Sequence, residues 1–181
     1  MRVITGTARG RKLKELPGLD TRPTTDKVKE SIFNIVQFDV EGRRVLDLFG
    51  GTGQMGIEAL SRGATDAVFV DLSPAAAGII RQNLTATGFT GAARVVQSDW
   101  RAFLSGCREK FDLIFLDPPY RTPILENALE TIAAIDILNQ HGIIISESPL
   151  DKELPVLAAP YERGREYRYG KIKITLYRRT V

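Results

Sequence analysis

At 181 residues, 43% of them hydrophobic and 26% charged, the chain has the length of one domain with a full sheet-and-helix core and no room for a second. Its single cysteine, Cys107, excludes a disulfide framework or a cysteine-based zinc site, and no apolar run approaches the roughly 20 residues of a bilayer span, so the reducing cytoplasm is expected, without membrane or metal partners; a monomer is the expected state, although nothing in the sequence fixes it. The net charge of +3 is uneven: residues 1–29 hold eight Lys or Arg against three acids, residues 163–181 seven against one, and residues 30–162 ten against eighteen. Basic ends suit a polyanion and an acidic centre suits a cation, although Lys and Arg at chain ends also serve simply as solubilising groups.

Residues Arg2 to Leu16 alternate weakly and carry Arg9, Arg11, Lys12 and Lys14, which reads as a short hairpin or an extended basic arm; Pro17-Gly18 and Arg22-Pro23 break it. A helix capped by Thr24, Thr25 or Asp26 is expected to run to about Phe38, because Val28, Ile32, Ile35 and Val36 recur at helical spacing. Val45 to Phe49 reads as a first strand buried on both faces. It is followed by a helix from Met55 to Arg62, a second strand from Ala67 to Asp71, and a helix from Ser73-Pro74 to about Thr87. Arg94 to Gln97 is a short third strand, and Ala102 to Cys107 a weak helix. A fourth strand, Phe111 to Leu116, runs straight into Asp117-Pro118-Pro119-Tyr120; a helix from Pro123 to Ala134 and a fifth strand, Ile143 to Ser146, come next. Glu166 to Tyr169 and Lys171 to Tyr177 alternate and meet at Gly170, as in a hairpin. Strands alternating with helices predict an α/β fold with a doubly wound, mostly parallel sheet, closed at one edge by an antiparallel hairpin. His141 reads as a surface turn residue and Cys107 as a small, partly buried apolar group.

The chemistry concentrates where the first strand ends. Gly50, Gly51 and Gly53 are expected to supply the positive φ angles of a tight turn that offers free backbone N–H groups to a ligand. Gly51, Gly53 and Gly56 satisfy the dinucleotide pattern G-x-G-x-x-G. Asp47 argues against a pyrophosphate, since a carboxylate at the strand end repels phosphate and suits a cation such as the sulfonium and ammonium of S-adenosylmethionine. A helix-capping aspartate in an ordinary strand-to-helix turn is the plain alternative.

Asp71 follows Gly51 by twenty residues, the interval at which an acid accepts from ribose hydroxyls. Asp99 is placed to accept from an adenine amino group, with Trp100 beside it to cover the ring. One such acid is more often a cap or a solvated turn, but four consecutive strands end in one. In Asp117-Pro118-Pro119-Tyr120 the two prolines fix φ and remove two donors, leaving carbonyls and a carboxylate that only accept, as an exocyclic amine requires. Tyr120 supplies a face for base stacking.

The chain resembles the class I S-adenosylmethionine-dependent methyltransferases, and among them the bacterial 16S rRNA guanine-N2 methyltransferases of the RsmD type. The likeness spans VITGTARGRKL near the start, RPTTDKVKESIFN (Arg22 to Asn34), DLFGGTG (Asp47 to Gly53), DPPY (Asp117 to Tyr120) and YGKIKITLYRR (Tyr169 to Arg179). The resemblance implies a Rossmann-like seven-stranded sheet over residues 26–181 behind a basic extension at 1–25. It also implies S-adenosylmethionine held by Asp47, Phe49, Gly50, Gly51, Gly53, Asp71, Asp99 and Trp100, and 16S rRNA or a partly assembled 30S subunit as substrate. Asp117 to Tyr120 would then hold the target amine, and Arg9, Arg11, Lys12, Arg22 and Thr24 would meet RNA. Gly50 stands where the family often has alanine. Other readings are an adenine-N6 or cytosine-N4 methyltransferase, for which this length leaves little room for a target-recognition domain; a non-catalytic nucleic-acid-binding module, which leaves DPPY unexplained; and a nicotinamide dehydrogenase, which leaves Asp47 unexplained.

Overall fold

The computed structural model describes residues 1–18 and 24–181. The helices are α1 (Asp26–Ile35), α2 (Gln54–Ser61), α3 (Pro74–Thr87), α4 (Trp100–Gly106) and α5 (Ile124–Ile135). The strands are β1 (Arg44–Asp47), β2 (Asp66–Asp71), β3 (Ala93–Gln97), β4 (Phe111–Leu116), β5 (Leu138–Pro149), β6 (Tyr161–Tyr169) and β7 (Ile172–Arg179). They form one seven-stranded sheet in the order β3-β2-β1-β4-β5-β7-β6. The first five strands are parallel, and β7 runs antiparallel to both β5 and β6. This is the α/β architecture expected from the sequence.

Alternation along the parallel strands feeds two apolar layers. Val45, Phe69, Leu113 and Ile143 pack against α1, α2 and α3, whereas Leu46, Val68, Ile114 and Ile144 face α4 and α5. Caps set the helix starts: the Thr25 side chain accepts from the Val28 N–H, that of Ser73 from the Ala76 N–H ahead of Pro74, and that of Asp99 from the Arg101 and Ala102 N–H groups. Since Asp99 caps it, α4 begins at Trp100 rather than Ala102. Helix α1 stops at Ile35, short of Phe38, which is 88% exposed. Strand β5 is much longer than Ile143 to Ser146, because β4 pairs with it from Leu138, opposite Phe111, and β7 as far as Pro149, opposite Ile172. His141 lies inside this strand, exposed and left-handed (φ 62), where the pairing with β4 shifts register.

Residues 1–13 form a short hairpin, held by Val3 N–H to Arg11 O (2.9 Å), Gly10 N–H to Val3 O (2.9 Å) and Leu13 N–H to Met1 O (3.1 Å). It is fastened to α2. Glu58, fully buried, accepts from the N–H groups of Ile4 (2.8 Å) and Thr5 (3.0 Å) and from Arg62 Nε (3.0 Å), and lies 3.6 Å from Lys29 Nζ. Lys29, also fully buried, donates to Arg2 O at 2.6 Å; burial lowers its pKa, and Glu58 acts against that shift. Helix α2 leaves the carboxyl end of β1 and returns to the amino end of the sheet at Ser61, whose Oγ accepts from the Ala8 N–H (3.0 Å). The hairpin tip is thereby drawn to the amino edge.

Candidate active site

Strand order reverses at β1, between β2 and β4, and ligands of doubly wound sheets bind above such a point. A cavity of about 730 Å³ opens there, within the usual range for small-molecule sites. Asp47, Phe49, Gly50, Gly51, Asp71, Asp99 and Trp100 line one part of it, and Asp117, Pro118, Pro119 and Tyr120 another. Thr24 reaches it as well. Gly53 stands just behind the wall as the residue before α2. Arg9, Arg11 and Lys12 are not part of its lining: Arg9 follows the hairpin turn that Ser61 holds through the Ala8 N–H, Arg11 donates to Ala86 O at the carboxyl end of α3 (3.3 Å), and Lys12 lies on the returning arm opposite Arg2. Arg22 lies outside the described residues.

The glycine turn differs from expectation in two respects. Gly51 and Gly53 have φ of 59° and 81°, but Gly50 is not left-handed, and a Cβ there would meet only the movable end of the Ile80 side chain, 2.9 Å from Cδ1, which agrees with the alanine often found there in the family. Nor are the glycines' own N–H groups free for a ligand. The N–H of Gly50 goes to Val70 O (2.8 Å), that of Gly51 to Asp71 Oδ2 (2.9 Å), that of Gly53 to Gly50 O (2.7 Å) and that of Gly56 to Asp47 Oδ2 (3.2 Å). Two of these four donors are spent on carboxylates, which leaves a wall that repels phosphate and attracts cations.

Asp47 is 4% exposed, and burial pushes its pKa up to about 7; the Gly56 N–H acts against that shift and the charge of Asp71 adds to it. Asp117 keeps part of its surface open to the cavity, yet the protein packed around it, and then the like charges of Glu147 and Asp47, hold its carboxyl well above the usual range. Asp71 takes one backbone N–H on each oxygen, from Gly51 and from Ser73 (2.9 Å). Asp99 both caps α4 and lines the cavity. Trp100 is 6% exposed, its ring 6.5 Å from that of Phe49 and 4.6 Å from the Arg101 guanidinium, so little of its face is left for a ligand.

Two groups were missed in the sequence. Glu147 stands beside Asp117, because β4 and β5 pair Leu116 with Ser146; it accepts from the Tyr120 hydroxyl (2.5 Å) and from Thr24 Oγ1 (3.3 Å). The rule that flagged four strand-end acids would have found it as a fifth had β5 been read one residue further. Gln54, buried at the start of α2, donates through Nε2 to Thr24 O (3.3 Å), while its Oε1 has no hydrogen-bond partner among the described residues. No helix among the described residues is long and apolar enough to cross a membrane, and no group of His, Cys, Asp and Glu among them is arranged to hold a metal.

A parallel sheet that ends in an antiparallel β7, a glycine turn after β1 and acids at the strand ends together define a Rossmann-like class I methyltransferase fold. The family described as "Conserved hypothetical protein 95" matches residues 1–178, and the chain belongs to that family, the RsmD-type rRNA methyltransferases. Ribosomal RNA small subunit methyltransferase D of Escherichia coli (strain K12) is 36% identical over 181 residues, covering 99% of this chain and 90% of that protein. YlbH of Bacillus subtilis (strain 168) is 40% identical over 182 residues, covering 99% of each. The solved structure of yhhF from Escherichia coli matches with a TM-score of 0.89 at 34% identity, covering 99% of this chain and 98% of that one.

Proposed function

We propose that this chain, as a monomeric single domain of the cytoplasm, methylates the exocyclic N2 amine of a guanine in 16S rRNA during 30S assembly, with S-adenosylmethionine as methyl donor. The observation that carries this reading is the meeting, in one cavity, of the Asp117-Pro118-Pro119 acceptors with Asp47, neither carboxylate having a cationic partner among the described residues. Asp47 suits the ammonium end of the cofactor, Asp71 its ribose and Asp99 its adenine. When bound, the cofactor supplies a methyl group on a cationic sulfur. The Asp117 carboxylate and the Pro118 carbonyl accept from the target amine, turn its nitrogen lone pair toward that methyl, and offset the positive charge that grows on nitrogen as the N–C bond forms and the C–S bond breaks. Asp117 or water then takes the surplus proton. Tyr120 stacks on the base. Tritium transfer from labelled S-adenosylmethionine to 16S rRNA, supplied free and in 30S particles, tests the reading; no transfer to either would refute it.

Cofactor binding should be coupled to a proton. Asp47 has a pKa of about 7 in the free protein, and a bound cation lowers it. Affinity is therefore weak below about pH 6 and rises with pH through 7, until the ligand's own ammonium, with a pKa near 8, loses its charge. Calorimetry in buffers of different ionisation heat should record proton release near neutral pH, and Asp47→Ala should lose both the release and most of the affinity. A flat profile, or tighter binding of NAD than of S-adenosylmethionine, would contradict the assignment.

The basic hairpin is assigned to RNA phosphates outside the target pocket. Charge reversal at Arg9, Arg11 and Lys12 should weaken RNA binding and flatten its salt dependence by about one phosphate contact per residue, with cofactor affinity unchanged. An unaltered salt slope would reduce the hairpin to a solubilising face.

A further inference from the structure

We propose that Glu147 is a positioning residue for the target base, acting through Tyr120 rather than on the reacting atoms. The proposal rests on the reading of Tyr120 as the stacking platform and adds what fixes that platform in place. Tyr120 follows two prolines at the mouth of the cavity, half-exposed, and the next residue, Arg121, is left-handed (φ 61). A ring at the exposed end of such a turn keeps several rotamers unless its far end is tied down, and a base pays to order it on arrival. Here the hydroxyl donates to Glu147 Oε1 at 2.5 Å. Glu147 is itself held: it lies on β5 one residue past the last pair with β4, opposite Ile174 of β7, 9% exposed, with Oε2 accepting from Thr24 Oγ1 at 3.3 Å. The tie reaches further, since Gln54 holds Thr24 by its carbonyl (3.3 Å). Hydrogen bonds thus join the first turn of α2, the residue ahead of the Thr25 cap, the end of β5 and the aromatic wall.

The same carboxylate has a second consequence. Glu147 and Asp47 are the acids whose charge raises Asp117, and Glu147 Oε1 is the oxygen that takes the Tyr120 hydroxyl. Glu147 therefore keeps Asp117 a readier proton acceptor than its own burial would make it.

The two consequences separate by substitution. Gln at position 147 keeps an acceptor for the Tyr120 hydroxyl but loses the charge; Ala loses both; Tyr120→Phe keeps the ring and loses the tie. Steady-state methyl transfer to 16S rRNA should show the KM for RNA raised roughly tenfold in Glu147→Ala and equally in Tyr120→Phe, the loss of about one hydrogen bond's worth of ordering. The double variant Tyr120→Phe/Glu147→Ala should be no worse than either single one. Glu147→Gln should restore the KM for RNA, while the acid limb of its kcat/KM profile moves to lower pH. Additive losses in the double variant, or a KM for RNA in Tyr120→Phe equal to wild type, would overturn the proposal. Tyr120→Phe leaves the β5 side chain untouched, so the test stands even if Glu147→Ala folds poorly. Wild-type protein that transfers no methyl would refute the proposed function instead, and an active enzyme insensitive to Tyr120→Ala would refute the stacking role.

Discussion

Asp117→Asn is expected to lower kcat by about a hundredfold or more, the range seen when one preorganised electrostatic group is removed from an active site. The substitution keeps the shape and one acceptor but loses the negative charge. That charge is held in a setting where burial, Glu147 and Asp47 all disfavour it, so it is relieved most when cationic groups stand opposite. A free aromatic amine is far too weak an acid for a carboxylate to deprotonate before attack, so Asp117 acts by accepting a hydrogen bond and later a proton. Cofactor affinity should change little, since Asp71, Asp99 and the glycine turn lie along other strand ends. Single-turnover methylation separates the chemical step from binding, and a near wild-type chemical rate in Asp117→Asn would place the active site elsewhere.

Glu58→Ala is expected to cost about 3–5 kcal/mol of stability, the usual penalty for removing one partner of a buried ion pair. Glu58 satisfies two backbone N–H groups of the amino-terminal hairpin as well as Arg62, and its carboxylate is the charge nearest the buried ammonium of Lys29. Without it, Lys29, whose pKa burial already lowers, loses its ion-pair partner, and the hairpin loses its bonds to α2 at Ile4 and Thr5. Urea unfolding should show the midpoint fall with little change in slope. A loss under about 1 kcal/mol would mean that the hairpin is held chiefly by the burial of Val3, Ala8 and Leu13.

The parallel half of the fold was legible because its signals are local. Apolar runs that end in Asp47, Asp71 and Asp117, and helices opened by Ser73-Pro74 or Thr25, announce themselves within a few residues, and the cavity wall follows from strand ends alone. The rest depends on contacts distant in sequence. Strand β5 outruns its apolar stretch because β7 pairs with it, and Glu147 went unread as a consequence. The glycine N–H groups of the turn after β1 looked free because nothing at Gly51 says that Asp71, twenty residues on, takes its N–H. Net charge marked Arg9, Arg11 and Lys12 as basic, but the place of the hairpin that carries them is set by bonds distant in sequence, from Ile4 to Glu58, Ala8 to Ser61 and Arg11 to Ala86. Gly56 shows a motif position filled for packing: a Cβ there would fall 2.3 Å from Phe69 Cε1, so the third glycine brings α2 close to β2 whatever the ligand.

The claim that the acceptor wall serves an exocyclic guanine amine is tested most directly by identifying the methylated product. 16S rRNA treated with the protein and labelled S-adenosylmethionine should, after digestion to nucleosides, carry its label in N2-methylguanosine, and Asp117→Asn should deplete that product in a single turnover. Label in N6-methyladenosine or N4-methylcytidine, or none in RNA at all, would contradict it.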